Sequence, residues 1–214
     1  MGRDKGLLDF GGIPLIVHTA QLLEPLVAKV TVVGSPSRYA KFGLRTIADD
    51  AQGQDGLGCG PLAGIATALA ATRSRWNLIV ACDLPYLSAQ WLEWLLSRTL
   101  HSRSEAIVPR TERGIEPLAA AYRRECGARV AAALAGGVRK VSEAIEQLRV
   151  DFVCPREWRR IDPSEMILRN MNAPADYEKA REWRAAECLS ESAHVRKPQQ
   201  TPKRKRRSAP RRRK

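Results

Sequence analysis

The sequence has no C-x-x-C pair and no apolar run near the length of a membrane span. Its five cysteines, Cys59, Cys82, Cys126, Cys154 and Cys188, are odd in number and scattered. That excludes a paired disulfide framework and a thiolate zinc site. It points to a reduced, cytoplasmic setting in which most thiols act as small core residues. Cys59 stands apart because glycines surround it. The three histidines, His18, His101 and His194, share no metal-ligand or triad spacing, so neither zinc nor histidine-based nucleophilic catalysis is indicated.

Charge of one sign is abundant but confined. The net charge is +13, and eleven Lys or Arg with no acid lie between Arg196 and Lys214, which leaves +2 for residues 1–195. The basicity therefore belongs to a tail and not to the domain. That tail, "RKPQQTPKRKRRSAPRRRK", has prolines, dense like charge and no apolar periodicity, so it is expected to be disordered. It reads either as an arm for polyanions, through residues 196–214, or as a solvated appendage. The expected organisation is one domain over residues 1–190 and a basic tail over 191–214. With 214 residues and 44% apolar content, one buried core is within reach.

Along the chain, helix and strand signals alternate. "IPLIVHTAQLLEPL" predicts a helix started by Pro14, with Leu15, Thr19, Leu22, Leu23 and Leu26 on one side. "KVTVVGS", "LRTIADD", "NLIVACD", "EAIVP" and "EPLAAAY" read as strands, and "LLDF" is strand-like. "GQDGLGCGP" is a glycine-rich loop leading into the helix "PLAGIATALAAT". "SAQWLEWLLSRT" is a helix capped by Ser88, and "RECGARVAAALAG" is another. Strands that are apolar without alternation are covered on both faces, so a mainly parallel α/β sheet is expected.

In such sheets ligands sit beyond the carboxyl ends of the strands. "LIVACDLPYLS" carries an apolar strand into Asp83 and then turns away at Pro85. A carboxylate presented at that rim suits Mg²⁺, which takes one or two carboxylates plus phosphate oxygens. The other reading is a strand-end acid that caps the next helix. Glycines before the "PLAGI" helix let a ligand approach the backbone, and the helix start favours anions. Asp49 ends a neighbouring strand, and Lys5 lies ahead of "LLDF". Asn170 and Asn172 precede Pro174, where a helix begins; they read as ligand contacts or as turn and cap residues.

"MGRDKGLLDFGGIPL", "GPLAGI", "ACDLPYL", "EPLAAAY" and "NMNAPADY" occur in that order. The set resembles the molybdenum cofactor guanylyltransferase family, within the nucleotidyltransferases of the MobA type, over residues 1 to about 180. The resemblance implies a Rossmann-like, three-layer nucleotidyltransferase domain that transfers GMP from Mg²⁺-GTP to molybdopterin bearing molybdenum. It implies that Lys5 contacts nucleotide phosphates, that Asp49 contacts the nucleotide, that Asp83 binds both Mg²⁺ and nucleotide, and that Asn172 lies near the product side. Lys5 and Asp83 would be the catalytic pair, in a monomer acting away from membranes.

The sequence departs from the family pattern at two places. The family opens with a strand and a glycine-rich phosphate loop carrying an arginine, and this chain starts at the methionine that follows them. The expectation is therefore a domain lacking that first strand and loop, with the natural start upstream of Met1 or, alternatively, a truncated and impaired protein. Gly34 also stands where the family often has a nucleotide-contacting asparagine. Two other readings stay open: a different transfer of the same fold, such as CMP to molybdopterin or a nucleotide to a sugar phosphate, or a non-catalytic nucleotide-fold protein with a polyanion-binding tail.

Overall fold

A computed structural model describes residues 4–49 and 60–195, the side chains of 190–195 excepted. Most of the glycine-rich loop 53–61, with Cys59, lies outside the described residues, as does the basic segment 196–214. The helices are α1 (Leu15–Leu23), α2 (Pro36–Tyr39), α3 (Gly60–Ala71), α4 (Ala89–Thr99), α5 (Gly127–Ala135), α6 (Val141–Glu146), α7 (Pro155–Trp158) and α8 (Pro174–Val195). The strands are β1 (Val32–Val33), β2 (Thr46–Ile47), β3 (Trp76–Val80), β4 (Ala106–Thr111), β5 (Gly114–Ile115), β6 (Ala119–Arg123) and β7 (Val150–Val153).

Three layers are built by side-chain alternation along β4 and β6. Ala106, Val108, Ala120 and Tyr122 face one side, where Leu62, Ile65 and Leu69 of α3 and Val130 of α5 cover them. Ile107, Ala119 and Ala121 face the other, against Trp91, Leu92 and Leu95 of α4 and Trp158 of α7. The alanine run of β6 is wholly buried, and its small side chains let helices approach from both faces. Trp91 and Leu92 are also fully buried, and each such side chain contributes roughly 1.5–3 kcal/mol. Ser88 caps α4 by accepting from the Trp91 amide at 3.3 Å.

The main sheet runs β3-β6-β4, with β5 and β7 also paired to β4. β3, β4 and β7 share one direction, as expected of a mainly parallel sheet, while β6 and β5 run against them. β6 enters reversed because the chain returns through the short β4–β5 hairpin instead of crossing over a helix. Five residues, 116–120, then span what two, 108–109, span on β4. Glu116–Leu118 consequently bulge toward the end of β3, where the Ala81 amide bonds the Leu118 carbonyl at 2.8 Å.

β1 and β2 pair in parallel as a separate two-stranded sheet. The ladder of β3 among the described residues is with β6 alone. Because Ala81 bonds toward β6, the intervening amides of Leu78 and Val80 face its other edge. The strand-like "LLDF" is not a strand. Gly11 and Gly12 take positive φ (72° and 89°), and the chain folds back so that the Phe10 amide bonds the Ile13 carbonyl at 2.7 Å.

Candidate active site

Asp83 follows β3 by three residues. Its backbone carbonyl accepts from the Met171 amide at 2.9 Å, which ties the strand end to the "NMNAP" segment ahead of α8. Lys5 opens a 3-10 turn, Lys5–Leu7. From there its Nζ donates to Asp83 Oδ2 at 2.9 Å and to Asn172 Oδ1 at 3.2 Å. Three of the four sequence-predicted residues therefore meet at one point. The Lys5 and Asp83 side chains are 30% and 22% exposed, so a solvent-borne ligand can reach both. Asp83 Oδ1 accepts no hydrogen bond from any described residue.

The fourth, Asp49, is held elsewhere. It ends the β2 segment and accepts from Thr67 Oγ1 of α3 at 3.2 Å. No described contact joins it to Lys5, Asp83 or Asn172. Asn170 lies on a neighbouring cavity and not on Lys5. The backbone amides of Asn172 and Ala173 both donate to Asp176 Oδ2, at 3.0 and 2.9 Å. These bonds hold the Asp176 carboxyl below its usual range. Asp176 thus fixes the backbone of the asparagine segment at the start of α8.

Sequence reasoning missed the residue that places Lys5. Asp4 accepts the Gly6 amide at 3.0 Å, both its oxygens accept from the Tyr39 hydroxyl at 2.8 Å, and Arg38 Nη1 donates at 3.1 Å. Asp4 is therefore the anchor of the turn that aims Lys5. An acid two residues before a glycine, at a turn, is the signal that could have found it. Tyr39 reaches Asp4 by crossing Gly34, where a Cβ would lie 2.9 Å from the Tyr39 ring. The glycine that departs from the family pattern is thus required here by the tyrosine above it.

The electrostatics agree with crowded charge around one rim. Burial, then the charges of Asp83 and Asp4, push the Cys82 thiol up to about 12. Burial and the hydrogen bond to Asp4 raise the Tyr39 hydroxyl far above its ordinary value. Glu116, delivered by the β5–β6 bulge, is raised by burial and further by Asp83, with Arg113 opposing. No group of three or more His, Cys, Asp or Glu among the described residues could hold a metal. The rim fits a hard ion that asks for one or two carboxylates and takes phosphate oxygens for the rest, which is the preference of Mg²⁺ and not of zinc.

A lysine, a mostly buried carboxylate with one open oxygen and an amide lie together beyond a strand end of an α/β sheet. Known proteins are similar to this chain. A probable molybdenum cofactor guanylyltransferase of Carboxydothermus hydrogenoformans is 32% identical over 179 residues, covering 84% of this chain and 87% of that protein. The probable molybdenum cofactor guanylyltransferase of Pelotomaculum thermopropionicum is 29% identical over 182 residues, 85% of each chain. The crystal structure of molybdopterin-guanine dinucleotide biosynthesis protein A from Archaeoglobus fulgidus superposes with a TM-score of 0.73 at 24% identity, covering 86% of this chain and 92% of that one. Residues 1–162 match the MobA-like NTP transferase domain, so the chain belongs to that family.

Proposed function

We propose that this chain is a molybdenum cofactor guanylyltransferase: it transfers GMP from GTP to molybdopterin bearing molybdenum. The observation that carries this reading is the convergence of Lys5, Asp83 and Asn172 on one ammonium. The names of the two bacterial relatives supply the substrates. Asp83 would hold Mg²⁺, which when bound would neutralise charge on the nucleotide phosphates. The bonds of Lys5 to Asp83 and Asn172, with the Asp4 anchor of its turn, keep Lys5 aimed at one point, where its ammonium stabilises the charge growing on the α-phosphate oxygens.

In the reaction an acceptor phosphate oxygen attacks the α-phosphorus of GTP. A new P–O bond forms, the bond to the β-phosphate bridging oxygen breaks, and pyrophosphate leaves with the electron pair. The nucleophile is already an anion, so no protein base is needed. Asp49 contacts the nucleotide from the α3 side. The protein works in the cytoplasm as a monomer; among the described residues no helix is long and apolar enough to cross a membrane. Residues 196–214 are an electrostatic appendage to polyanions and leave the transfer itself unchanged.

Melting the protein with GTP or CTP, with and without Mg²⁺, tests the reading. At about 100 Kd, GTP with Mg²⁺ is expected to stabilise by roughly 2.7 kcal/mol, and Asp83→Ala to abolish the Mg²⁺-dependent part. Pyrophosphate release with molybdopterin is the paired assay. An equal response of both proteins to GTP and Mg²⁺ removes Asp83 from the site, and release with CTP but not GTP replaces GMP as the transferred group.

A further inference from the structure

Glu116 opens "EPLAAAY", the segment whose alanines form β6. Pro117 follows it and has no amide to continue a ladder, so the chain bulges instead. Four bonds fix the bulge. The Glu116 amide bonds the Pro109 carbonyl at 2.8 Å, the Ala119 amide bonds the Glu116 carbonyl at 3.2 Å, and the Ala81 amide reaches the Leu118 carbonyl at 2.8 Å. The hydroxyl of the buried Tyr122 donates to the Pro117 carbonyl at 2.9 Å. A bulge held in this way at a strand end aims a side chain.

The register of β3 and β6 says where. The two strands pair antiparallel, with Ile79 against Ala120 and Val80 against Ala119. The bond between Ala81 and Leu118 carries the pairing one residue further. Two residues beyond, the same register sets Asp83 across from Glu116. The backbones have parted by then, since the Asp83 carbonyl accepts from Met171 and the Glu116 amide is spent on Pro109. Residues opposite one another in an antiparallel pair share a face, which puts both carboxylates on one side of the strand ends. Glu116 feels the juxtaposition: burial first, and the Asp83 charge in addition, raise its carboxyl, against the charge of Arg113 and a hydrogen bond with Thr111.

Like charges set opposite each other are destabilising, and Lys5 answers this conflict only in part. Its ammonium takes Asp83 Oδ2 and Asn172, and not Glu116. Asp83 Oδ1 accepts from no described residue. Arg113, the cation acting on Glu116, is exposed at the hairpin turn. A divalent cation facing both carboxylates removes the conflict. Mg²⁺ uses one or two carboxylates and completes its shell with phosphate oxygens and waters. Among the described residues no group of three or more His, Cys, Asp or Glu could hold a metal, so a pair of carboxylates leaves the remaining positions to the triphosphate.

We infer that Glu116 is the second carboxylate facing the divalent ion held by Asp83, and that the bulge ahead of β6 serves to place it there. The inference rests on the reading that Asp83 takes Mg²⁺. Glu116 then couples metal to nucleotide: without the ion it repels the triphosphate, and with the ion it helps to retain it.

Calorimetric titration of GTP into the full chain, in EDTA and in Mg²⁺, reads this coupling without turnover. Wild type is expected to bind GTP roughly tenfold more tightly, or better, when Mg²⁺ is present. Glu116→Gln, isosteric and uncharged, is expected to cut that factor at least about fivefold. The same variant binds metal-free GTP as well as wild type or better, and in EDTA it melts no lower than wild type, because a like-charge pair is gone. An unchanged Mg²⁺ factor in Glu116→Gln, with Asp83→Ala abolishing it, takes Glu116 away from the ion and leaves the reading of Asp83 standing. A Glu116→Gln chain that fails to fold, or melts well below wild type in EDTA, shows a carboxylate required by the fold itself and overturns the inference. The wild-type Mg²⁺ factor retained in Asp83→Ala overturns the reading of Asp83 and the inference with it.

Discussion

Lys5 and Asn172 lie 167 positions apart in the chain and 3.2 Å apart in the fold. The 3-10 turn at one end of the domain and the approach to α8 at the other are thereby joined over Asp83. The Lys5–Asp83 pair beside it is modest as a source of stability, since a lysine and carboxylate this exposed are worth about 0–1 kcal/mol. Its value is positional.

Lys5→Met separates those two roles. The melting temperature is expected to move by no more than about 3 °C. GMP transfer is expected to fall by roughly 10²-fold or more, the size of one lost electrostatic stabiliser. Calorimetry and steady-state kinetics on the same preparation check it. A large loss of stability with activity preserved makes Lys5 a structural residue.

Alkaline stability reports on Cys82. Its thiol titrates near 9 in the unfolded chain and at about 12 in the fold, because burial and the Asp83 charge disfavour the thiolate. A raised folded value means that its contribution is complete below pH 9 and is lost as pH rises from there toward 12. Urea unfolding at pH 8 to 11 is expected to show wild type losing roughly 1 kcal/mol more per pH unit than Cys82→Ala above pH 9. Parallel pH profiles for the two proteins contradict this.

Acid stability reports on Glu105, which is 5% exposed. Its carboxylate accepts the Arg149 amide at 3.0 Å and pairs with Arg129 at 2.8 Å. The amide bond, with Arg129 and Arg149, outweighs burial and lowers its pKa. A lowered folded value gives stability that is present at neutral pH and lost as pH falls through the carboxylate range. Glu105→Gln is expected to cost roughly 1–3 kcal/mol at pH 7 and to flatten that acid limb, as denaturant unfolding at pH 3 to 7 would show. GTP binding is expected to remain unchanged in the same variant.

The parts legible in the sequence are those written in adjacent residues. The apolar run into Asp83, the Ser88 cap of α4 and the Pro174 start of α8 each combine a local pattern with a local cause. The ordered motifs set Lys5, Asp49 and Asp83 around one rim, yet Lys5 meets Asp83 and Asn172 while Asp49 is held by Thr67 of α3. Lys5 sits on a 3-10 turn and Asn172 ahead of α8, so their meeting is not a matter of strand ends. Other features depended on partners far along the chain. Asp4 carries no visible role until Tyr39 is laid across Gly34 beside it. β7 was passed over because "VDFV" mixes a charge into a short run, and that charge is matched by Arg98 of α4 at 2.9 Å. The bulge that brings Glu116 to the site is a register difference between strands, and a single strand's sequence does not state its register. "LLDF" has strand-like composition, but Gly11 and Gly12 return the chain before it can pair.

The cluster of Phe10, Leu15, Tyr86, Met171 and Ala180 sets how long the site can exist. It fastens α8 to the N-terminal turn, and the same contacts hold Asn172 over Lys5. If α8 detaches, the carbonyl of Asp83 loses Met171 and the ammonium loses Asn172 together. Site opening and helix release are then one event with one free energy, smaller than that of global unfolding. Occupancy of the site shifts this equilibrium by mass action, so nucleotide and acceptor slow amide exchange and proteolytic cutting at the start of α8, more than 90 residues beyond the strand that presents the carboxylate.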